Sequence, residues 1–220
     1  MSKIKYFSHN KWIKVIIHRD SCLLNTSNFL YYYYFYYIFR LLDLSFNRIK
    51  KIEGLDNLLN LQKLYLSSNK IQCIENLSHL KNLTILELGD NKIREIVNLE
   101  GLENLTSLFL GKNKITKIEN LGCLQNLRLL SLQSNRITKI ENLEELKNLD
   151  QLYLSENGIT CIEGLSSLPK LTTFDLANNK IKKIEHIEHL EDLEEFWVRI
   201  LLGVTYVYIY LRRYLICFFR

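Results

Sequence analysis

The side chains that could act as nucleophiles or metal ligands lie far apart in the sequence. The five cysteines occupy positions 22, 73, 123, 161 and 217, so the closest two are 38 residues apart and form neither a CxxC motif nor a zinc-ligand spacing. Their odd number and the lack of an evident cleavable signal peptide predict reduced thiols in an intracellular protein. We therefore expect the cysteines to fill space in the fold.

The histidines likewise offer no catalytic arrangement. No spacing places one beside a serine or cysteine nucleophile, and the chain has neither a P-loop nor a GxGxxG motif. His186 and His189 stand three residues apart near two glutamates, but their positions predict solvated side chains rather than a metal site. We expect no enzymatic activity, no cofactor and no bound metal. The other histidines are His9, His18 and His79.

The charge of the chain is divided by region. Residues 41–197 carry a net charge of −4, whereas the two ends together carry +9 and hold 11 of the 13 tyrosines. A nucleic-acid surface needs unopposed basic charge, which the middle of the chain lacks. We therefore predict no nucleic-acid partner. With 47% hydrophobic residues, the 220-residue chain is not expected to be globally disordered.

A 22-residue repeat organises the middle of the chain. One copy, residues 61–82, reads LQKLYLSSNKIQCIENLSHLKN. It matches LxxLxLxxNxIxxIxxLxxL, which is the short form of the leucine-rich repeat. Isoleucine stands two and five residues after the asparagine in all seven copies. The asparagines are Asn47, Asn69, Asn91, Asn113, Asn135, Asn157 and Asn179.

Each part of the repeat predicts a local structure. LxL alternates with period two and predicts a short strand that buries both leucines. The asparagine ends the strand, and its amide is expected to bond backbone groups that the turn leaves unpaired, forming a ladder. The IxxIxxLxxL spacing predicts 3₁₀ or short α-helical turns on the outer face. We expect positive φ seven residues after each asparagine, at Gly54, Asn76, Asn98, Asn120, Asn142, Gly164 and His186.

Stacking is required because a single copy cannot bury its apolar face. The sequence thus predicts an α/β leucine-rich-repeat solenoid over residues 41–197, with eight parallel strands. Seven strand spacings of ~4.8 Å give a concave strip ~34 Å long. Such a strip suits a globular protein partner better than a small-molecule substrate.

The residue between the two leucines of each strand is predicted to face the concave side. Exposed aromatic residues beside carboxylates are typical of protein-binding hot spots. Two residues later the row is mostly small, so the aromatic and acidic side chains should protrude above it. The predicted partner-binding residues are Asp43, Tyr65, Glu87, Phe109, Tyr153, Asp175 and Trp197, with Glu195 two residues before the last.

Residues 86–121, 130–143 and 193–197 resemble the protein phosphatase 1 regulatory subunit 7 family of leucine-rich-repeat regulators. The most specific segments are LFLGKNKITK and the LEEFW ending. The resemblance implies a non-catalytic subunit of the nucleus and cytoplasm that holds the phosphatase 1 catalytic subunit in its concave face. By resemblance, the contacting positions map to Asp43, Tyr65, Glu87, Phe109, Asp175, Glu195 and Trp197.

Two other functions stay open at this point. One is a structural scaffold of the axonemal or centrosomal type, although such proteins should lack the alternation of acids and aromatic residues. The other is a membrane-tethered adaptor, which requires that residues 1–40 and 198–220 be present in the mature protein. The uncharged stretch 200–211 is shorter than the ~20 residues of a spanning helix, so we do not expect a membrane partner.

The two ends fall outside the repeat. Residues 1–40 are expected to be disordered or translated non-coding sequence, and residues 198–220 to be a hydrophobic tail foreign to the family. Residues 38–40 can be encoded as a splice acceptor and residues 198–200 as a splice donor, at the points where the resemblance stops. A genuine but unrelated tail and a membrane segment are the alternatives.

Overall fold

The computed structural model describes residues 39–199 with their side chains, and residues 200–202 and four further strands as backbone alone. Eight strands belong to the repeat, and each comes from the LxL segment of one copy. They are β3 (Leu41–Asp43), β4 (Lys63–Tyr65), β5 (Ile85–Glu87), β6 (Ser107–Phe109), β7 (Leu129–Ser131), β8 (Gln151–Tyr153), β9 (Thr173–Leu176) and β10 (Glu195–Leu202).

The eight repeat strands lie side by side in chain order and are parallel. Each residue pairs with the residue 22 positions later, so every column of the sheet contains equivalent positions of the repeat. The predicted solenoid and its parallel sheet are therefore confirmed. At the end of the sheet β10 pairs antiparallel with β11 (Thr205–Arg212), and β11 with β12 (Leu215–Phe219); β1 (Lys3–Ser8) pairs with β2 (Lys11–Ile16).

The core is a stack of leucine and isoleucine layers. Leu64, Leu86 and Leu108 are fully buried and pack in one column behind the sheet. In the last two layers phenylalanine replaces leucine, and the rings of Phe174 and Phe196 stack with their centroids 5.6 Å apart. Since each layer is covered only by its neighbours, burial depends on stacking.

The convex side is built of isolated β-turns rather than the predicted 3₁₀ or short α-helical turns. The Leu80 N–H donates to the Leu77 carbonyl at 2.9 Å, and the Leu83 N–H donates to the Leu80 carbonyl at 3.0 Å. The second bond begins at Leu80, where the first one ends, so the two turns follow one another without overlapping. Each bond therefore closes a single turn, and no helix forms. Residues 39–202 accordingly contain no helix.

The backbone kink predicted seven residues after each asparagine is confirmed, with φ between 57° and 74° at all seven positions. At four of them an asparagine side chain also reaches back to the preceding repeat, as Asn76 Nδ2 does to the Ile52 carbonyl at 2.7 Å. A second row, directly before the ladder asparagines, has φ between 53° and 58° and was not predicted from the sequence. Its members are Phe46, Ser68, Asp90, Lys112, Ser134, Glu156 and Asn178.

The predicted limits of the repeat domain fall inside the described part of the chain. The first repeat strand begins at Leu41, and β10 continues past Trp197 to Leu202. The predictions for residues 1–40 and 198–220 concern segments whose side chains lie largely outside the described part of the chain, and they stay predictions. Among the residues that the structure describes, no helix is long and apolar enough to span a membrane.

Candidate protein-binding site

The ladder asparagines join neighbouring repeats behind the C-terminal ends of the strands. Asn113 Nδ2 donates to the Leu88, Leu110 and Gly111 carbonyls at 3.0 to 3.2 Å, and its Oδ1 accepts from the Ile93 N–H at 3.0 Å. Because two of these partners belong to the preceding repeat, each asparagine fixes the position of one strand end against the next. The surface residues just before the asparagines are thereby held in register.

The strand register brings the predicted partner-binding residues into one unbroken row, which we call the concave row. Trp197 is 41% exposed, whereas Ser131, in the middle of the row, is buried. The other members are half-buried. In sheet order the concave row is Asp43, Tyr65, Glu87, Phe109, Ser131, Tyr153, Asp175 and Trp197. Glu195, two residues before Trp197, pairs with Thr173 in the adjacent row.

The acids of the concave row share one local geometry. Asp43 Oδ1 accepts from the Ser45 N–H at 2.9 Å, and Asp175 Oδ1 accepts from the Ala177 N–H at 3.0 Å. Glu87 Oε1 accepts from the Gly89 N–H at 2.8 Å. In the part of the chain that the structure describes, none of these three carboxylates forms an ion pair. They are oriented by the backbone and remain available to a cationic partner.

The carboxyl group of Glu87 has a perturbed pKa. Burial raises the pKa of its carboxyl group above the ordinary value, and the hydrogen bond from Gly89 only partly offsets this rise. Desolvation therefore outweighs the stabilisation of the charged form. A raised pKa of a carboxyl group at the surface indicates that no nearby positive charge offsets the burial of its negative charge.

Tyr153 is surrounded by negative charge. Burial raises the pKa of its phenol, and the nearby carboxylates of Glu195, Asp175 and Asp150 raise it further. The Tyr153 hydroxyl donates to Gln151 Oε1 at 3.3 Å. The C-terminal half of the concave face thus combines an aromatic ring with several carboxylates, a composition that favours cationic side chains of a partner.

We expect Glu87→Gln to raise the melting temperature at pH 7, because the substitution removes a charge whose burial is uncompensated. The folded-state pKa of Glu87 lies above its unfolded value, so the destabilisation is complete above the folded pKa and disappears as the pH falls below the unfolded pKa. The gain should therefore vanish near pH ~3.5, where the glutamates of the unfolded chain are protonated. Thermal melts of both proteins at the two pH values check this; a variant that melts below the parent at pH 7 would contradict it.

A groove runs along the concave face beside the concave row. Its volume is about 450 Å³, and glycine or serine forms most of its floor. Gly89 and Gly111 occupy equivalent positions in adjacent repeats, two residues after Glu87 and Phe109. The small-residue row that the sequence predicts is therefore a continuous depression, and the residues that line it are Ser67, Glu87, Gly89, Asp90, Phe109, Gly111, Lys112, Ser131, Gln133, Ser134, Ser155 and Glu156.

A second asparagine ladder, which was not predicted from the sequence, lies just before the N-terminal ends of the strands. Asn82 Nδ2 donates to the Leu59 carbonyl at 3.0 Å, and Asn104 Nδ2 donates to the Lys81 carbonyl at 2.8 Å. Asn126 and Asn148 make the equivalent bonds. The 22-residue spacing of these four residues was a signal that could have revealed them. Three of them are exposed and Asn148 is half-buried, and each joins its repeat to the preceding one.

The histidines and cysteines whose side chains the structure describes have structural or solvent-facing positions. His79 Nε2 and His189 Nε2 lie 3.1 Å and 3.0 Å from the Leu55 and Leu165 carbonyl oxygens, a geometry in which the ring nitrogen donates. Burial raises the pKa of the Cys73 and Cys123 thiols, with neighbouring glutamates adding to the rise. Cys22 and Cys217 lie outside the residues whose side chains are described. Within the described part of the chain, histidine, cysteine, aspartate and glutamate side chains form no metal-binding cluster.

The sequence matches the model of a known family. The leucine-rich repeat model, in its two-copy form, fits residues 40–79, 81–123 and 125–167. Comparison with curated protein sequences finds no significant match.

Solved structures share the fold. Internalin C2 from Listeria monocytogenes is 30% identical with a TM-score of 0.59, and the match covers 72% of this chain and 80% of that protein. A leucine-rich-repeat protein of Leptospira interrogans is 28% identical with a TM-score of 0.60, covering 71% of this chain but 48% of that protein. An internalin F of Listeria monocytogenes is 24% identical with a TM-score of 0.54, and the match covers 75% of this chain and 61% of that protein. This likeness supports the fold alone.

The match to the family model and the likeness to internalin C2 agree with the 22-residue register of the sheet. Solenoids of this kind are typically non-enzymatic scaffolds that bind other proteins. The chain therefore belongs to the leucine-rich-repeat family.

Proposed function

We propose that this protein is a non-catalytic regulatory subunit that binds the protein phosphatase 1 catalytic subunit in its concave face. The observation that carries the proposal is the concave row, in which acidic and aromatic side chains stand in register across eight strands. The resemblance of residues 86–121, 130–143 and 193–197 to regulators of this phosphatase supports the choice of partner. The same proposal places the protein in the nucleus and cytoplasm.

The geometry suits a partner that offers basic groups around apolar pockets. Asp43, Glu87 and Asp175 have hydrogen bonds from the backbone but form no ion pair within the described region. Trp197 and Phe109 are the aromatic anchors, one at the end and one in the middle of the row. Hot spots of protein interfaces combine such anchors with complementary charges that exclude wrong partners.

Reversing two charges of the concave row tests the proposal. We expect the unchanged protein to bind the purified phosphatase 1 catalytic subunit, and Asp43→Lys combined with Asp175→Lys to weaken binding by about tenfold or more, because like charges would then face each other. Isothermal titration calorimetry provides the affinities, and circular dichroism checks the fold. A double variant of the convex side, Glu100→Lys with Glu144→Lys, makes the same change in net charge at two exposed positions.

Two outcomes would contradict the proposal. The first is a failure of the folded parent protein to bind the catalytic subunit. The second is an equal loss of affinity in the concave and convex double variants, since this would indicate a general effect of net charge and no role for the concave row.

A further inference from the structure

Two glycines, Gly89 and Gly111, are neighbours in the groove beside the concave row. A Cβ atom added to Gly111 would meet its nearest neighbours, the Gln133 carbonyl oxygen and Ser131 Oγ, at 3.5 Å and 3.7 Å. These are ordinary contacts, so the fold does not require glycine at this position. The absence of a side chain at Gly111 therefore leaves open space in the groove without serving the packing of the solenoid.

The charges that line the groove are unbalanced. Glu87, Asp90 and Glu156 contribute carboxylates, and Lys112 is the single cation among the lining residues. Asp90 and Glu156 accept hydrogen bonds from Ser68 and Ser134, but none of the three carboxylates forms an ion pair in the described structure. Since Glu87 is also partly buried, a cation entering the groove would relieve an existing electrostatic cost.

A serine hydroxyl in the groove is available to a ligand. Ser155 lines the groove, and its hydroxyl is open to solvent and makes no hydrogen bond with a protein group in the described structure. By contrast, Ser131 Oγ bonds Gln133 Oε1 at 3.1 Å, and Ser67 Oγ bonds Ser45 Oγ at 2.9 Å. The Ser155 hydroxyl can therefore bond a polar atom that enters the groove.

We infer that the groove binds an arginine side chain carried by an extended segment of the protein partner. The guanidinium group would bond the Glu87 carboxylate and lie against the ring of Phe109, which is the neighbour of Glu87 in the sheet register. Arginine fits better than lysine because its planar fork bonds a carboxylate through two N–H groups and stacks on aromatic rings. The inference rests on the proposed protein-binding role of the concave face and names the chemistry of one contact within it.

The pKa of Glu87 gives the binding a pH dependence. The group has a raised pKa when the groove is empty, and an adjacent guanidinium would favour its ionised form. Binding of arginine is therefore expected to weaken as the pH falls through the raised pKa of Glu87. Asp90, Glu156 and Lys112 are the other titratable groups facing the groove.

A peptide titration followed by NMR tests the inference on the full chain. The probe is the acetylated and amidated peptide Gly-Ser-Arg-Ser-Gly, compared with peptides that carry lysine or citrulline at the centre. We expect saturable shifts of the Gly89 and Gly111 amide signals with the arginine peptide, in the millimolar range, and weaker binding of the lysine peptide. Citrulline has the same shape without the charge, so its peptide should produce no saturable shift.

Two variants give the titration its controls. Gly111→Leu fills the groove and should abolish the saturable shifts, whereas Gly122→Leu, an exposed glycine whose added Cβ would also make ordinary contacts at 3.6 Å, should leave them unchanged. Glu87→Gln should weaken arginine binding by about tenfold while keeping the acceptor for the Gly89 N–H. Circular dichroism establishes that each variant is folded.

Several results would overturn the inference: no saturable shift at Gly89 and Gly111, equal binding of the arginine and citrulline peptides, or unchanged binding by Gly111→Leu. Binding of the phosphatase catalytic subunit is measured separately on the same proteins. A parent protein that binds the phosphatase but not the arginine peptide would overturn the groove inference alone. A parent protein that binds the peptide but not the phosphatase would overturn the proposed function alone.

Discussion

Replacing Asn113 with alanine is expected to destabilise the protein by about 3 kcal/mol, through the loss of four hydrogen bonds and the cavity left behind. The most serious consequence falls on Ile93, whose buried N–H has Asn113 Oδ1 as its partner and would be left unpaired. The Leu88 and Leu110 carbonyls are affected less, because each also accepts a bond from another ladder asparagine. Urea unfolding of parent and variant measures the change in the free energy of unfolding.

Asn104→Ala is the matched control for this prediction. Asn104 belongs to the second asparagine ladder, is exposed, and donates one hydrogen bond, to the Lys81 carbonyl at 2.8 Å. Its replacement should cost below about 1 kcal/mol, since water can take over at an exposed carbonyl. Equal destabilisation by the two substitutions would contradict the distinction between a buried ladder that organises the strand ends and an exposed one that adds little.

The second large effect is expected in binding. Trp197→Ala should weaken binding of the phosphatase catalytic subunit by about 2 kcal/mol or more, which is roughly thirtyfold in the dissociation constant. Trp197 ends the concave row next to Asp175 and keeps 41% of its surface exposed, so it offers a large apolar area that a partner can cover. Calorimetric titration gives the dissociation constants, and an unchanged value for the variant would disprove the role of Trp197 as an anchor.

Phe46→Ala provides the control for Trp197→Ala. Phe46 is 85% exposed and lies outside the concave row, at the turn that precedes the first ladder asparagine. Loss of this aromatic side chain should leave the affinity for the phosphatase unchanged. If both substitutions weakened binding equally, a general effect of exposed aromatic surface would explain the loss, and the concave row would have no special role.

The repeat itself could be derived from the sequence because its period is free of insertions. Leucine at every strand and asparagine at every strand end, always 22 residues apart, determine which residues pair, since a parallel sheet of equal repeats aligns equivalent positions. The order of the concave row from Asp43 to Trp197 follows from the same spacing. The positive φ seven residues after each ladder asparagine was also predictable, because the glycine and asparagine residues common at that position adopt positive φ readily.

The structure of the convex side could not be read from the same pattern. An apolar residue at every third position is compatible with a 3₁₀ helix and with successive β-turns, and both bury the same side chains. The choice depends on whether consecutive backbone groups bond one another, which is decided by the fit of each coil between its neighbours. In this protein the bonds close single turns, as between Leu77 and Leu80.

The repeat, the strand register and the residues of the concave row could be predicted from the order of the amino acids, because they depend on spacing alone. The properties of the groove depend instead on how the folded repeats pack against one another. The burial that raises the pKa of Glu87, and the meeting of Glu87, Phe109 and Ser155 at one groove, arise because strands of different repeats lie side by side. Desolvation and hydrogen-bond satisfaction depend on distances in space, and a one-dimensional period contains no information about the room left between neighbouring side chains.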